Sequence, residues 1–259
     1  MCGRFVSTAT PAEVAEYFGA EPQGNLAPPE PNYNTAPTDD IYVVYESGET
    51  RTLDAFHWGL VPFWAKDPSI GNRMINARAE GLATQNAYRH AFRKRRCLIP
   101  ADGFYEWKKV PGQKTKQPYF ISRADGEPVA FAGLWEVWRG GPTDDTDARE
   151  DGERLRQHEP TLRSCTIVTT DANALVEPLH DRMPVVLPPS AWDQWLDPTN
   201  DDLDALGQLL VPAPSELLTL RPVSTDVNDV RNAGAHLIDE VDPTGSPPAT
   251  HQARQGTLL

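Results

Sequence analysis

Cysteine is scarce in this chain of 259 residues, which has only Cys2, Cys97 and Cys165. Three cysteines exclude a disulfide framework, and their spacing does not match a metal finger. No apolar run approaches the roughly 18 residues that a membrane span needs, and the first residues lack the apolar core of a signal peptide. These absences predict a cytoplasmic protein with no membrane partner.

Metal and cofactor motifs are missing as well. The six histidines show no HxxxH or HExxH spacing, so no metal site is predicted. The sequence also has no Walker loop, no GxGxxG and no GxSxG, the motifs of nucleotide-binding and serine-hydrolase sites. We therefore expect no metal and no organic cofactor, and a monomer is the default expectation.

Lysine is rare, and the charge is unevenly distributed. The chain has 6 lysines against 18 arginines, and 37 acidic side chains bring its net charge to −13. An acidic, lysine-poor surface keeps a protein hydrated and soluble in a high-salt cytoplasm, so this composition indicates a halophilic archaeon. An ordinary acidic mesophilic protein is the alternative. Residues 73–109 hold nine basic and three acidic side chains, a net +6. This basic island indicates an anionic ligand, although cations at a helix end would give the same count.

The secondary-structure signals predict one α+β domain. A short helix should begin at Thr10-Pro11 and end at Gly19. Strands at 41–45 and 52–58 should form one hairpin, and strands at 119–122 and 129–138 a second. The segment 79–93 is expected to be helical. Further strands are predicted at 96–100, 104–108, 165–170, 184–187 and 217–223, and short helices at 190–196 and 201–210.

These elements are expected to form a single mixed domain over residues 1–233. Its core would be a curved, mostly antiparallel, barrel-like sheet flanked by short helices. Residues 140–163 are polar and highly charged, so they are expected to be an exposed acidic insertion. Residues 234–259 have few core candidates and are expected to be a loose tail.

The N-terminus offers the most distinctive chemistry. Removal of Met1 would leave Cys2 with a free α-amine and a thiol on adjacent carbons. An α-amine has a pKa near 7.7–8.0, so part of it is neutral and nucleophilic at pH 7. Such an amine condenses with an aldehyde to a Schiff base, on which the thiol can close a five-membered thiazolidine. From its position alone Cys2 can also be an ordinary second residue, and Cys97 and Cys165 are expected in the core.

Other polar residues are ambiguous when taken singly. Glu106 and His180 could serve as proton acceptor and donor in one pocket. Equally, Glu106 could face outward from a strand, and His180 could be a core or capping residue. Asn76 and Arg78 alternate along a short segment, so an extended chain would place both on one face.

Four motifs occur in a fixed order along the chain. They are MCGRF at 1–5, NARAE at 76–80, GFYEW at 103–107 and LHDRMP at 179–184. Together they closely resemble the SRAP family, the SOS-response-associated peptidases or abasic-site processing proteins. The segments WGLVPFW at 58–64, AGLWE at 132–136 and TTDAN at 169–173 fit the same pattern. The resemblance extends from residue 2 to about residue 230.

This resemblance implies an SRAP-like fold and a covalent DNA-binding function. Family members bind single-stranded DNA that contains an abasic site and couple to its aldehyde through the N-terminal cysteine, which shields the lesion in the DNA damage response. Cys2 matches the nucleophile and Glu106 the carboxylate that moves protons. His180 matches the histidine that acts on the deoxyribose, and Asn76 matches the amide that holds the lesion.

The resemblance also implies a DNA contact surface. Arg4, Arg78 and Arg182 match phosphate-binding arginines, and Trp64 matches an aromatic wedge or stacking platform near the lesion. Self-processing peptidase activity on Met1, AP-lyase activity by β-elimination and association with the nucleoid after damage are further expectations.

Three other functions remain open at this point. A class II glutamine amidotransferase also begins Met-Cys-Gly, but that interpretation leaves the motifs at 103–107 and 179–184 unused. A peptidase acting through Cys2 or Glu106 is a second alternative. A DNA-binding module without catalysis is the third, and it gives Cys2 no special role.

Overall fold

The computed structural model describes residues 2–23, 30–112, 114–140 and 161–242. Within these ranges the protein is a mixed α+β fold, as the sequence predicts, and it has thirteen strands in two sheets and four short α-helices. The strands are β1 (Phe5–Ser7), β2 (Glu21–Pro22), β3 (Asn32–Thr35), β4 (Asp40–Ser47), β5 (Thr50–Trp58), β6 (Asn76–Arg78), β7 (Arg96–Ala101), β8 (Gly103–Lys108), β9 (Gln117–Arg123), β10 (Val129–Trp138), β11 (Leu162–Asp171), β12 (Arg182–Pro184) and β13 (Leu218–Pro222). The helices are α1 (Pro11–Phe18), α2 (Arg89–Lys94), α3 (Pro189–Leu196) and α4 (Leu203–Gln208).

The larger sheet closes on itself. It runs from β5 through β4, β7 and β10 to β11, and β11 returns to pair with β5 in parallel, with Ser164 beside His57 and Cys165 beside Trp58. Closure removes the free edges that an open sheet would leave. The strands therefore form the curved, barrel-like sheet that was expected from the sequence.

Alternate residues along these strands supply two hydrophobic cores. On β4, Tyr42 and Val44 join the core that contains the helices, whereas Val43 joins the core on the opposite face. That second core includes Phe5 and Phe104 of the smaller sheet. Side chains alternate between the two faces of a strand, so each face of the barrel strands contributes to a different core. The second of these cores joins the larger sheet to the smaller one.

The smaller sheet fixes the N-terminus. Its strand order is β13-β9-β8-β1-β3, so β1 lies between β3 and β8. Phe5 is paired with Phe104, and the N–H of Tyr105 donates to the carbonyl of Arg4 at 3.0 Å. The first residues of the chain are therefore held by backbone pairing on both sides.

Helix α1 has the ends that its sequence predicts. Thr10 and Glu13 form a capping box, and Gly19 closes the helix in the left-handed conformation at φ 62°. The first hairpin, β4 with β5, is also confirmed. The strands and short helices expected between residues 96 and 223 are present at nearly the predicted positions, except that the strand expected at 184–187 lies earlier, at Arg182–Pro184.

Two local predictions are wrong. The helix expected over 79–93 is only a 3-10 turn at Ala79–Gly81 followed by turns and the short α2. The segments 119–122 and 129–138 are strands but do not pair as a hairpin. β9 pairs with β8 and β13, whereas β10 pairs with β7 and β11, so consecutive strands lie in different sheets.

The expected insertion and the expected tail lie only in part within the described residues. Of the expected insertion at 140–163, residues 141–160 lie outside the described residues. Of the expected tail at 234–259, the first nine residues still pack, because Leu237 is fully buried and Glu240 forms a β-bridge with Val223. Residues 243–259 lie outside the described ranges. Among the described residues, no helix is long and apolar enough to cross a membrane.

Candidate functional site

Cys2 lies three residues before the start of β1 and is fully buried. Its Sγ lies 3.9 Å from the carbonyl oxygen of Arg4. Burial raises the pKa of the Cys2 thiol, and the negative charge of Glu106 raises it further. The thiol therefore stays protonated at neutral pH in this form of the chain, which retains Met1.

Glu106 lies on β8, the strand next to β1, and only 3% of its surface is exposed. It is paired across the sheet with Tyr119 of β9. Its carboxylate is close enough to the Cys2 thiol to perturb the thiol's pKa. This position excludes the alternative of an outward-facing surface residue, and it brings two of the predicted catalytic groups together.

Asn76 binds Cys2 directly. Its Nδ2 donates to the carbonyl oxygen of Cys2 at 2.7 Å. Asn76 is the first residue of β6, which pairs with β11. Ile75, the residue before it, is held by a hydrogen bond from Trp58 Nε1 to its carbonyl oxygen at 3.0 Å. The Oδ1 atom of Asn76 is buried and has no hydrogen-bond partner among the described residues. Since buried acceptors are normally satisfied, this oxygen is a candidate to bind a ligand.

His180 lies just before β12 with 30% of its side chain exposed. The N–H of Arg182 donates to His180 Nδ1 at 3.0 Å, so in the neutral ring the proton is on Nε2. Oδ1 of Asp181 lies 2.8 Å from the same Nδ1 and becomes its partner when that nitrogen is protonated. The neighbouring Leu179 packs against the core that contains Cys2.

Arg182 is a buried link between three segments. Its guanidinium binds both carboxylate oxygens of Glu80, at 2.8 and 3.0 Å, and Oδ1 of Asp171 at 2.7 Å. It also donates to the carbonyl of Thr169 at 2.7 Å. The segment that carries Asn76 is therefore tied to the strand that follows His180. The phosphate contact predicted for Arg182 would compete with two carboxylates.

The other predicted DNA contacts lie in different settings. Arg4 is half-buried, and its Nη1 donates to Asn34 Oδ1 at 2.6 Å and to the carbonyl of Val227 at 2.9 Å. Arg78 is exposed on the same extended segment as Asn76, with the buried Ala77 between them, as the alternation predicts. Trp64 is 45% exposed on the surface.

The basic island contains structural as well as exposed cations. Arg96 is buried and donates to main-chain carbonyls at the ends of two helices, including those of Phe92 and Trp195. Burial lowers its pKa to about 10. Arg95 forms an ion pair with the buried Glu136. The island's charge therefore overstates the number of cations that a ligand can reach.

The family model described as SOS response associated peptidase (SRAP) matches residues 1–230. The chain belongs to the SRAP family. The SRAP relatives include abasic site processing protein YoqW of Bacillus subtilis, which is 38% identical over 245 residues that make up 92% of this chain and 99% of the relative. Abasic site processing protein YedK of Escherichia coli is 32% identical over 246 residues, covering 93% of this chain and 100% of YedK.

A solved structure shows the same fold. A protein from Bacteroides thetaiotaomicron superposes with a TM-score of 0.75 at 22% sequence identity, covering 93% of this chain and 100% of its own. The SRAP fold is therefore shared at low sequence identity.

Sequence reasoning missed several residues that shape this SRAP site. Glu80 and Asp171 occur inside the motifs quoted above, but nothing in the sequence showed that they bind Arg182. Tyr88, whose Oη donates to the carbonyl of Asn76 at 3.4 Å, carried no signal at all. Among the described residues no cluster of three or more His, Cys, Asp or Glu could hold a metal ion.

Proposed function

We propose that this SRAP protein recognises abasic sites in single-stranded DNA and forms a thiazolidine cross-link through Cys2 after removal of Met1, which shields the lesion in the DNA damage response. The observation that carries the proposal is the meeting of the Cys2 thiol, the Glu106 carboxylate and the Asn76 amide beside β1. The relatives named abasic site processing proteins support the choice of DNA lesion.

The order of bond formation follows from the state of the N-terminus. While Met1 is attached, the nitrogen of Cys2 is an amide and cannot attack a carbonyl. Hydrolysis of that amide frees an α-amine, which adds to the aldehyde carbon of the ring-opened sugar and loses one water to form an imine. The thiol then adds across the imine, so that an S–C bond forms and the thiol proton goes to nitrogen.

A protonated thiol suits the second step rather than the first. The pKa of the Cys2 thiol is raised by burial, so the amine is the better initial nucleophile. Glu106, next to the thiol, accepts a proton during amine attack and returns one as water leaves. Closure of the ring consumes the imine, so it also suppresses the β-elimination that would cut the strand.

Neighbouring polar groups orient the reacting residue and the sugar. The hydrogen bond from Asn76 fixes the Cys2 carbonyl, and Asn76 Oδ1 is placed to accept from a ligand hydroxyl or from the new ring N–H. His180 can donate from Nε2 to a deoxyribose hydroxyl. Arg78 is exposed beside Asn76 and can bind a phosphate, and Arg4 can reinforce that charge.

A denaturing gel tests the proposal. Protein with Met1 removed, confirmed by mass, is incubated with single-stranded DNA that carries one abasic site. We expect a heat-stable adduct that is lost in Cys2→Ala and retained in the matched thiol control Cys165→Ala, which removes another fully buried thiol. No adduct with the mature wild-type protein would refute cross-linking, and glutamine hydrolysis in its place would favour an N-terminal-cysteine amidotransferase.

A further inference from the structure

A cavity of about 180 Å³ lies between α1 and the ends of β1 and β7. Its walls are mainly apolar: Val14 and Phe18 come from α1, Pro100 comes from β7, and Pro128 is the residue before β10. A cavity of about 150 Å³ holds one benzene molecule, so this α1 cavity has room for a single large side chain.

Two carboxylates line the α1 cavity, and each has one oxygen in use. Oδ2 of Asp102 accepts from the N–H and from the hydroxyl of Thr8, both at 2.7 Å. Oε2 of Glu13 accepts from the N–H and the hydroxyl of Thr10 at 2.7 and 2.8 Å, within the capping box of α1. The other oxygen of each carboxylate accepts no hydrogen bond from a described residue. These local bonds fix both carboxylates and leave each with an acceptor atom for a ligand.

The charge around the α1 cavity is negative and is not neutralised. Neither lysine nor arginine lines it in the part of the chain that the structure describes. Arg123 acts electrostatically on Tyr17, another lining residue, but its Nε donates to Asp125 at 2.9 Å, and Glu127 acts on the same tyrosine. Apolar walls concentrate the field of such charges, so the cavity favours a cation.

The hydrogen-bonding groups of the α1 cavity favour a ligand that donates. Pro100 and Pro128 have no N–H, and both donors of Thr8 are already in use. The hydroxyls of Ser7 and Tyr17 can accept as well as donate. An arginine side chain carries five N–H donors and no acceptor at the end of an apolar stem, and its planar group also stacks on aromatic rings. It therefore matches the cavity in size, charge and hydrogen bonding.

The α1 cavity lies apart from the Cys2 site. Ser7, which lines the cavity, is the last residue of β1, whereas Cys2 precedes that strand. Val14 and Phe18 belong to the core that contains the helices, whereas Cys2 belongs to the other core. An occupant of the cavity therefore does not compete with a ligand at Cys2.

We propose that the α1 cavity is a docking site for an arginine side chain of a partner protein, with the guanidinium bound by Asp102 and Glu13 and the stem packed against Phe18. The source is a protein chain rather than free arginine, because the α-carboxylate of the free amino acid would be repelled by the same two carboxylates. The inference goes beyond the proposed function and does not rest on it, since no residue assigned to abasic-site chemistry lines this cavity.

Amide chemical shifts of the isotope-labelled full chain test the proposal. The protein is titrated with the peptide acetyl-Gly-Arg-Gly-amide, with the same peptide carrying neutral citrulline in place of arginine, and with free arginine. Glu13→Gln removes one charge while glutamine preserves the capping box. Glu16→Gln is its matched control, because Glu16 is exposed on α1 but does not line the cavity.

We expect the arginine peptide to shift the amides of Thr8 and of α1, and to bind about tenfold more tightly than the citrulline peptide, which is the value of one charge-assisted hydrogen bond. Glu13→Gln should weaken binding of the arginine peptide about fivefold, as loss of an exposed ion pair predicts, and Glu16→Gln should leave it unchanged. Asp102→Asn should weaken binding at least as much. If Asp102→Asn lowers the melting temperature, the comparison of Glu13→Gln with Glu16→Gln decides the assignment.

Citrulline-peptide binding within about twofold of the arginine peptide would overturn the arginine assignment, as would equal affinity in Glu13→Gln and wild type. Shifts that spare Thr8 and α1 would place the contact elsewhere and would also overturn it. Tighter binding of free arginine than of the arginine peptide would refute a protein partner.

Discussion

Replacing Asn76 with alanine removes the side chain that holds the reacting residue in place. The lost contact is the 2.7 Å hydrogen bond from Asn76 Nδ2 to the carbonyl of the fully buried Cys2. A hydrogen bond of this kind contributes about 1 kcal/mol net, and a buried carbonyl left without a donor costs up to about 3 kcal/mol. We therefore expect the free energy of unfolding to fall by about 1–2 kcal/mol.

The effect on cross-linking should be of the same size. If Cys2 loses its fixed orientation in the transition state, a loss of about 1.4 kcal/mol slows adduct formation about tenfold. Single-turnover rates at saturating abasic DNA measure this, with denaturant unfolding measured in parallel. Asn200→Ala is the matched control, because that amide also donates to a carbonyl, Gln194 at 3.2 Å, but lies on the surface. An Asn76→Ala rate within twofold of wild type would refute the positioning role.

Three further predictions concern Glu106, the three thiols and the ion pair of Glu80 with Arg182. Glu106→Gln should slow adduct formation more than it weakens DNA binding, and equal losses in rate and affinity would contradict a role in proton transfer. All three thiols are buried with raised pKa values, so the native chain that retains Met1 should react with a thiol reagent only after unfolding, and fast native labelling would contradict this. Arg182 lowers the pKa of Glu80, so the unfolded state is protonated first as the pH falls and this stabilisation is lost in acid. Glu80→Gln should therefore reduce the loss of unfolding free energy between neutral and acid pH by about 1 kcal/mol or less, because Glu80 is 57% exposed. An equal loss in Glu80→Gln and in wild type would refute the contribution of this ion pair.

Local rules predicted much of the fold. The capping residues Thr10 and Glu13 and the left-handed Gly19 depend only on near neighbours, so α1 could be placed from sequence. The apolar, β-branched run at 165–170 also located β11, and the segments expected to be extended at 96–100 and 104–108 are β7 and β8. Pairing between distant strands was beyond such rules, which is why β9 and β10 were expected to be partners and are not.

The failed helix over 79–93 has a tertiary cause. Asn76–Arg78 pairs with β11, and Glu80 binds Arg182 across 102 residues of sequence. The ion pair of Glu80 and the strand pairing just before it hold the start of this segment in a 3-10 turn at Ala79–Gly81, although its own propensity favours a helix. The ordered motifs indicate four candidate catalytic residues: Cys2, Asn76, Glu106 and His180. Only the structure shows the hydrogen bond from Asn76 to the carbonyl of Cys2.

The nature of the bond to DNA is the central claim, and intact-mass spectrometry of the purified adduct tests it most directly. A thiazolidine through Cys2 predicts the mass of the protein without Met1 plus the abasic oligonucleotide minus one water, with no borohydride treatment needed for the adduct to survive denaturation. Cys2→Ser should give an adduct that survives far less well, because oxygen closes the ring less favourably. An adduct that survives denaturation only after borohydride reduction, and is then two hydrogens heavier, would contradict the account, as would one equally stable in Cys2→Ser.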